Sequence, residues 1–235
     1  MTIAILFVLG LIVGSFLNVV GLRWDLPAGR QALKHFGGRS KCPHCGITLR
    51  WYELVPVLSF VSQFGRCRNC GQKISFQYPL IELWTALVFI TVPAIFIPVF
   101  CVYIVIVIYD IHHKIIPDPL VYVSIILALL ISRAWFPGLV LFAFFSLIWL
   151  LSRGRAMGFG DAKLGLSMGL LLGAAQSFSA VALAFWIGAA FGIVCMIFSR
   201  KNITMKSEIP FAPFLVLGAW VSVMFNLDLL HVPLL

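Results

Sequence analysis

Five apolar stretches alternate with polar ones along this 235-residue chain, running roughly over 2–22, 79–110, 119–152, 162–198 and 210–230. A helix needs about 20 predominantly apolar residues to cross the hydrocarbon core of a bilayer. The first and last stretches match that length, and the three between them are too long for one crossing. Each long stretch is interrupted near its middle, at Pro93 to Pro98, at Arg133 to Gly138 and at Gly173 to Ser177. Such breaks end helices, so each stretch is expected to form a helical hairpin. The pattern therefore predicts an all-α polytopic membrane protein of about eight transmembrane helices, with a small polar insert between the first and second. The expected division is a first transmembrane helix over 1–22, an insert over 23–78 and a membrane domain over 79–235. The hairpin at 79–110 has halves of only about 15 residues, which calls for a thinned bilayer or burial within protein.

Composition supports this reading. With 62% hydrophobic and 11% charged residues, and a mean hydropathy of +1.06, the chain has too little polar surface for a water-soluble globule. Its charge is unevenly spread. Sixteen of the 17 Lys and Arg residues fall in 23–78, 111–118, 153–163 and 200–206, and Arg133 is the exception. Under the positive-inside rule those segments are cytoplasmic and both termini face outward. The net charge of +9 thus follows topology, and anionic lipid headgroups account for it without a nucleic-acid partner. The first stretch lacks a basic leader and a small-residue cleavage site, while Arg23 and Arg30 follow it, so it reads as a retained span.

The insert holds four of the six cysteines, spaced Cys42-Pro43-His44-Cys45 and Cys67-Arg68-Asn69-Cys70, with Gly46 and Gly71 directly after each pair. Two such turns can present four thiolates to one tetrahedral Zn²⁺. A redox dithiol or unlinked surface thiols are the plainer readings, but a reducing cytoplasm and a doubled motif favour metal. Four sulfur ligands leave no open coordination position, so the ion is expected to fold the insert. His44 reads as a spacer, and Cys101 and Cys195 as small core residues of apolar spans.

Candidate chemistry lies with the acidic residues of the spans. Asp110 closes one apolar run, and Asp161 opens another after Gly158-Phe159-Gly160, 51 residues later. Singly they read as an interfacial carboxylate paired with Lys114 and as a first-turn helix residue. Together they sit at span ends on the same, cytoplasmic side of the membrane. Two carboxylates within hydrogen-bonding range share a proton and can activate a water, which is aspartyl-protease chemistry. Asp118, between two prolines, is expected to start the next helix. Glu82, just inside the second span, is expected near the insert and facing a polar pocket. Gly14, Ser15 and Asn18 share one helix face, and Gly165, Gly169 and Gly173 another; both read as close helix packing.

These residues resemble the type IV prepilin peptidases, bacterial GxGD aspartyl proteases. The resemblance spans nearly the whole chain: Gly14-Ser15-Phe16-Leu17-Asn18-Val19-Val20, the two cysteine pairs flanking Trp51 to Ser59, Tyr78-Pro79-Leu80-Ile81-Glu82, Asp110 through Pro117-Asp118, and Gly158 to Lys163. It implies an endopeptidase of the bacterial cytoplasmic membrane that removes basic leaders from type IV prepilins and pseudopilins. Asp110 and Asp161 match the catalytic aspartates, with Gly158, Gly160 and Lys163 as motif support. It also implies N-methylation of the new N-terminal residue by S-adenosylmethionine, for which the insert and Glu82 are the candidate region. Glu82 is equally a candidate for steering the basic leader. Two other classes fit the residues alone: a cation- or proton-coupled transporter using the aspartates, and a noncatalytic zinc-knuckle scaffold of a secretion machine. A transporter would hold its carboxylates nearer the bilayer midplane.

Overall fold

A computed structural model describes residues 2–24, 39–132, 134–155, 157–198 and 210–229. Arg30, Arg133 and the basic residues of 200–206, used above to count charge, lie outside the described residues. The structure is helical, with no strand among the described residues and two isolated antiparallel bridges in the insert. The chain divides into two compact units, Met1–Thr91 and Val92–Leu235.

In the first unit, α1 (Thr2–Arg23) packs along α3 (Gln77–Thr91), with the short helix α2 (Leu58–Ser62) and a 3₁₀ turn at Trp51–Leu54 in the insert. Small residues govern the seam between α1 and α3. A Cβ on Gly10 would lie 2.6 Å from the Ala86 Cα, and one on Gly14 2.9 Å from the Glu82 Cα. One turn further along the same stripe, the Asn18 side-chain amide donates to the carbonyls of Gly14 and Tyr78, each at 3.3 Å. Backbones that approach this closely gain dispersion contacts that larger side chains would block.

The second unit contains α4 (Ile97–His113), α5 (Asp118–Ile131), α6 (Trp135–Ser152), α7 (Phe159–Phe198) and α8 (Ala212–Met224). Helix α4 is the most enclosed, with Val99, Phe100, Tyr103, Ile104, Ile106 and Ile108 fully buried. It packs on α5 and α8, while α7 packs on α5, α6 and α8. The 40-residue α7 is broken at Gly173, whose φ of 74° and ψ of −176° interrupt the helical hydrogen bonding. That left-handed φ is open to glycine at little cost. The break is confined to Gly173, and Ser177 is already helical again. Gly138 likewise lies inside α6 rather than in the turn before it. Pro137 occupies the first turn, where its missing N–H has no helical partner to lose.

Among the described residues, four helical segments are long and apolar enough to cross a membrane: Thr2–Arg23, Ala94–His113, Trp135–Ser152 and the broken Phe159–Phe198. Asp118–Ile131 and Ala212–Met224 are apolar but shorter.

Candidate active site and candidate metal centre

The cysteine pairs form two turns of the same geometry. In each, the first cysteine N–H donates to a carbonyl five residues on, Cys42 to Ile47 at 3.0 Å and Cys67 to Gln72 at 2.9 Å. The following glycines then donate back to the first cysteines, Gly46 to Cys42 and Gly71 to Cys67, both at 2.9 Å. Both glycines have a φ of 69°, the left-handed conformation that the turn demands. An antiparallel bridge closes each turn, Lys41 with Thr48 and Arg66 with Lys73. The four sulfur atoms lie within 4.8 Å of one another, with Cys42 Sγ 3.9 Å from Cys70 Sγ. Sulfurs at about 2.3 Å from a tetrahedral Zn²⁺ are separated by about 3.8 Å, so the cluster fits one ion.

Backbone N–H groups tune these thiols. The Ile47 N–H, and then the Asn69 side chain, lower Cys45 to about 6. The N–H groups of Cys70 and Asn69 lower Cys67. At Cys70 the Gln72 N–H acts in the same direction, but desolvation and the three neighbouring thiols outweigh it and leave the group at about 11. A metal in their midst would stabilise all four as thiolates.

Glu82 is 6% exposed, on the face of α3 turned toward α1 and the insert. It accepts the Val57 N–H at 2.8 Å and a hydrogen bond from Ser15. Val57 has a φ of 59°, a strained conformation for a β-branched residue. The buried carboxylate thus clamps the backbone at the start of α2.

In the second unit, Asp110 lies in the last turn of α4 and Asp161 in the first turn of α7, 4% and 6% exposed. Two contacts show that α7 starts where α4 ends. Gly160 rests on Ile116, just beyond α4, where a Cβ would come within 2.7 Å of the Ile116 Cβ. Lys163 forms a 2.7 Å ion pair with Asp118 at the start of α5. Deeper in the bundle, the Tyr103 hydroxyl of α4 meets the Ser167 hydroxyl of α7 at 2.9 Å. Asp110 is seven residues from that pair and Asp161 six, or about 10.5 and 9 Å along the helices at 1.5 Å per residue. The carboxylates therefore stand at nearly the same level.

Each aspartate has a distinct hold. Asp110 Oδ2 accepts the Ala212 N–H at 3.3 Å, at the N-terminus of α8. Lys114, the partner that Asp110 was given only when read singly, closes α4 in a left-handed conformation, its N–H donating to the Asp110 carbonyl. Asp161 is bonded by the Gly158 backbone, and its buried Oδ1 makes no hydrogen bond within the described structure. A buried carboxylate oxygen with open lone pairs is poised for a water or a substrate.

The sequence matches the model of the bacterial peptidase A24 N-terminal domain over residues 8–96 and that of the type IV leader peptidase family over 95–193. A prepilin leader peptidase/N-methyltransferase of Bacillus subtilis is 32% identical over 95% of this chain and 94% of its own length. An enzyme of the same name from Myxococcus xanthus is 52% identical over 36% of this chain and 24% of its own. A type 4 prepilin-like proteins leader peptide-processing enzyme of enterotoxigenic Escherichia coli is 31% identical over 91% and 90%. The chain belongs to the type IV leader peptidase family. No solved structure matches it.

For this leader peptidase family member, reading the residues alone missed two contributions. One is the Ala212 N–H on Asp110. Pro210 and Pro213, bracketing Phe211-Ala212, were the available signal, since proline favours the first turn of a helix and so marks its N-terminus. The other is Val57, whose left-handed backbone has no signal in residue type. Asp118, read as a helix start, does open α5, and its carboxylate is engaged by Lys163.

Proposed function

We propose that this protein is a membrane aspartyl endopeptidase that removes the basic leader from type IV prepilins and pseudopilins, and that it then N-methylates the exposed residue with S-adenosylmethionine. The observation that carries the peptidase reading is the level placement of Asp110 and Asp161 in a buried setting, with one carboxylate oxygen of Asp161 left open. In the reaction the ionised aspartate takes a proton from water as the water oxygen attacks the scissile carbonyl carbon, and the protonated aspartate donates to the carbonyl oxygen. The Ala212 N–H and the Gly158 backbone hold the two side chains in their places. Gly160 keeps the start of α7 against the turn after α4, and Lys163 ties it to α5.

The Cys42, Cys45, Cys67 and Cys70 cluster would hold structural Zn²⁺, which supplies cross-linking to an insert with little core of its own. In the membrane we read eight crossings. The broken α7 counts as two, and α3, α5 and α8 cross as short helices in a thinned bilayer or within the bundle. The insert and both aspartates then lie on the cytoplasmic side of the bacterial inner membrane, where a precursor with a basic leader and an apolar helix presents its cleavage point. Transport and noncatalytic scaffolding gain no support from the family or from the placement of the aspartates at helix ends. The test compares cleavage of a prepilin by wild type, Asp110→Asn and Asp161→Asn in the same membranes, with mass spectrometry of the product N-terminus. Full cleavage by either variant removes that residue from the pair.

A further inference from the structure

The insert carries its largest apolar side chains on the outside. Trp51 is 80% exposed and Phe64 90%, and Leu54, Leu58 and Val61 are exposed with them. Single apolar residues on a surface are ordinary, but these are grouped by the local fold. Trp51 and Leu54 stand three residues apart in the 3₁₀ turn, where such residues share a face. Leu58 and Val61 stand one turn apart on α2, and the Phe64 N–H donates to the Val61 carbonyl at 3.0 Å, which places Phe64 in the turn that closes α2. Phe64 has a φ of 51°, a conformation that glycine or asparagine adopts more readily. The turn itself therefore gives no reason for a phenylalanine there.

The apolar surface continues beyond the insert. Phe60 of α2, which lies under Gly65, meets the Phe76 ring edge-on at 5.9 Å. Phe76 directly precedes α3, and the Leu80 N–H donates to its carbonyl, so the exposed residues Phe76, Leu80, Leu83 and Leu87 follow one helical stripe. The other side of α3, with Ile81, Ala86 and Phe89, is buried. Helix α3 has 15 residues and is about 22 Å long, against about 30 Å for the hydrocarbon core. The insert's apolar side chains thus extend, at one end, a stripe that is too short by itself. Charge flanks the same face. Between residues 39 and 76 the sequence sets Arg39, Lys41, Arg50, Arg66, Arg68 and Lys73 against Glu53 alone. Arg50 donates to the Tyr52 hydroxyl at 2.9 Å and the Arg68 guanidinium lies 5.3 Å from the centre of that ring, so two cations stand next to Trp51.

We infer that this face of the insert lies on an anionic lipid surface. Trp51, Leu54, Leu58, Val61 and Phe64 enter the boundary between acyl chains and headgroups, and the neighbouring arginines and lysines bind the headgroup phosphates. The inference rests on the membrane reading of α3 above and adds a partner for the insert. Exposed apolar and aromatic side chains rimmed by Lys and Arg are what elements lying in the membrane interface present to it, and the basic rim gains most on an anionic leaflet. A protein partner could also cover the apolar groups, but their continuity with the stripe of α3 favours the solvent that already covers that stripe. The insert is then held at two places, by the ends of α1 and α3 and by this face, which fixes the height of the cysteine knuckles over the bilayer.

The experiment footprints the full-length protein in nanodiscs holding one chain each, built from an equal mixture of phosphatidylglycerol and phosphatidylcholine or from phosphatidylcholine alone. One reagent is a diazirine carried on the acyl chains, the other is hydroxyl radical made in the water, and peptide mass spectrometry reads both. In the anionic discs Trp51, Leu58, Val61 and Phe64 should take the acyl-chain label as Leu80 and Leu83 do, and should resist the radical. In the neutral discs their label should fall at least about twofold as the headgroup attraction is lost, while Leu80 and Leu83 keep theirs. The double variant Leu58→Ser with Phe64→Asn should lower the label on Trp51 and Val61 about fivefold at unchanged zinc content, because both positions are exposed and asparagine suits the φ of residue 64. The wild-type footprint decides the proposal even where that variant loses its zinc. Oxidation of Trp51 and Phe64 without acyl-chain label would overturn the docking, and equal label in the two lipids would overturn the headgroup contact. Unchanged label on Trp51 in the double variant would overturn the single docking face. Protection from both reagents, whether present from the start or only after a prepilin is added, would give the face to protein and overturn the lipid assignment. Missing acyl-chain label on Leu80 and Leu83 would instead sink the crossing by α3, and this inference with it.

Discussion

The cysteine cluster and the aspartate pair both join residues distant in sequence, and they do so by different physics. Cys42 and Cys70 are separated by 28 residues, but each half of that cluster is a complete turn, shaped by its own glycine and backbone hydrogen bonds. Only the docking of two finished halves is long-range, and a metal ion would supply the energy for it. Asp110 and Asp161 have no such local module. Their placement at one level depends on α4, α5, α6 and α7 packing in the right register, through contacts such as Gly169 against Gly138 and Tyr103 with Ser167. A site assembled from local turns tolerates error elsewhere in the fold, whereas one assembled by helix register does not.

The largest effect should come from the aspartates themselves. Asp110→Asn or Asp161→Asn should lower prepilin cleavage by about 10²–10⁴-fold, the range for loss of general acid–base catalysis. Methylation of a pilin supplied with its leader already removed should persist in the same variants. Loss of both activities together would mean that the two regions are one site and would break the comparison.

Metal removal is the reciprocal test. Chelation or Cys42→Ser should take bound zinc from one ion per chain to none, measured by elemental analysis, and methylation should fall by a larger factor than cleavage. A site that depends on metal for its fold cannot survive as an ordered unit without it. Equal losses would argue that the knuckles support the whole chain.

Register can be probed by steric means. A Cβ at Gly169 would lie 2.6 Å from both the Gly138 Cα and the Pro137 carbonyl oxygen, while at Gly165 the obstacle is the Phe145 ring, also at 2.6 Å. Backbone cannot swing away as a ring can, so Gly169→Ala should destabilise by about 1–3 kcal/mol and Gly165→Ala by less. Thermal unfolding in detergent would rank them, and the reverse order would show that the α6–α7 seam is softer than its contacts imply.

The smallest effect is expected for the Lys163–Asp118 pair. Asp118 is 54% exposed, and ion pairs open to solvent contribute about 0–1 kcal/mol. A double-mutant cycle with Asp118→Asn and Lys163→Gln should give a coupling within that range. A much larger value would assign the pair a structural part in holding the start of α7.

Legibility followed the range of the interactions. The apolar stretches were readable because burial of backbone polar groups in lipid forces helices on any such segment. The break at Gly173 was readable because few other residues adopt its φ. Placing the end of the second break at Gly138 failed, since glycine in a packed helix is selected by its neighbour, and here that neighbour is α7. The Ala212 N–H on Asp110 spans 102 residues and involves a backbone group common to almost every residue type. Val57 in its left-handed conformation was equally hidden, because Glu82, 25 residues away, makes that conformation worthwhile.

What the amino-acid sequence determined by itself was thus everything set by composition over a single segment: apolar helices, the turns of the paired cysteines, and acidic residues at helix ends. Tertiary structure alone decided which carboxylate received which N–H and which glycines became contact points. The division has a physical cause. Hydrophobicity and backbone preference act on each segment independently, whereas a hydrogen bond or close contact between distant segments exists only after both have been packed.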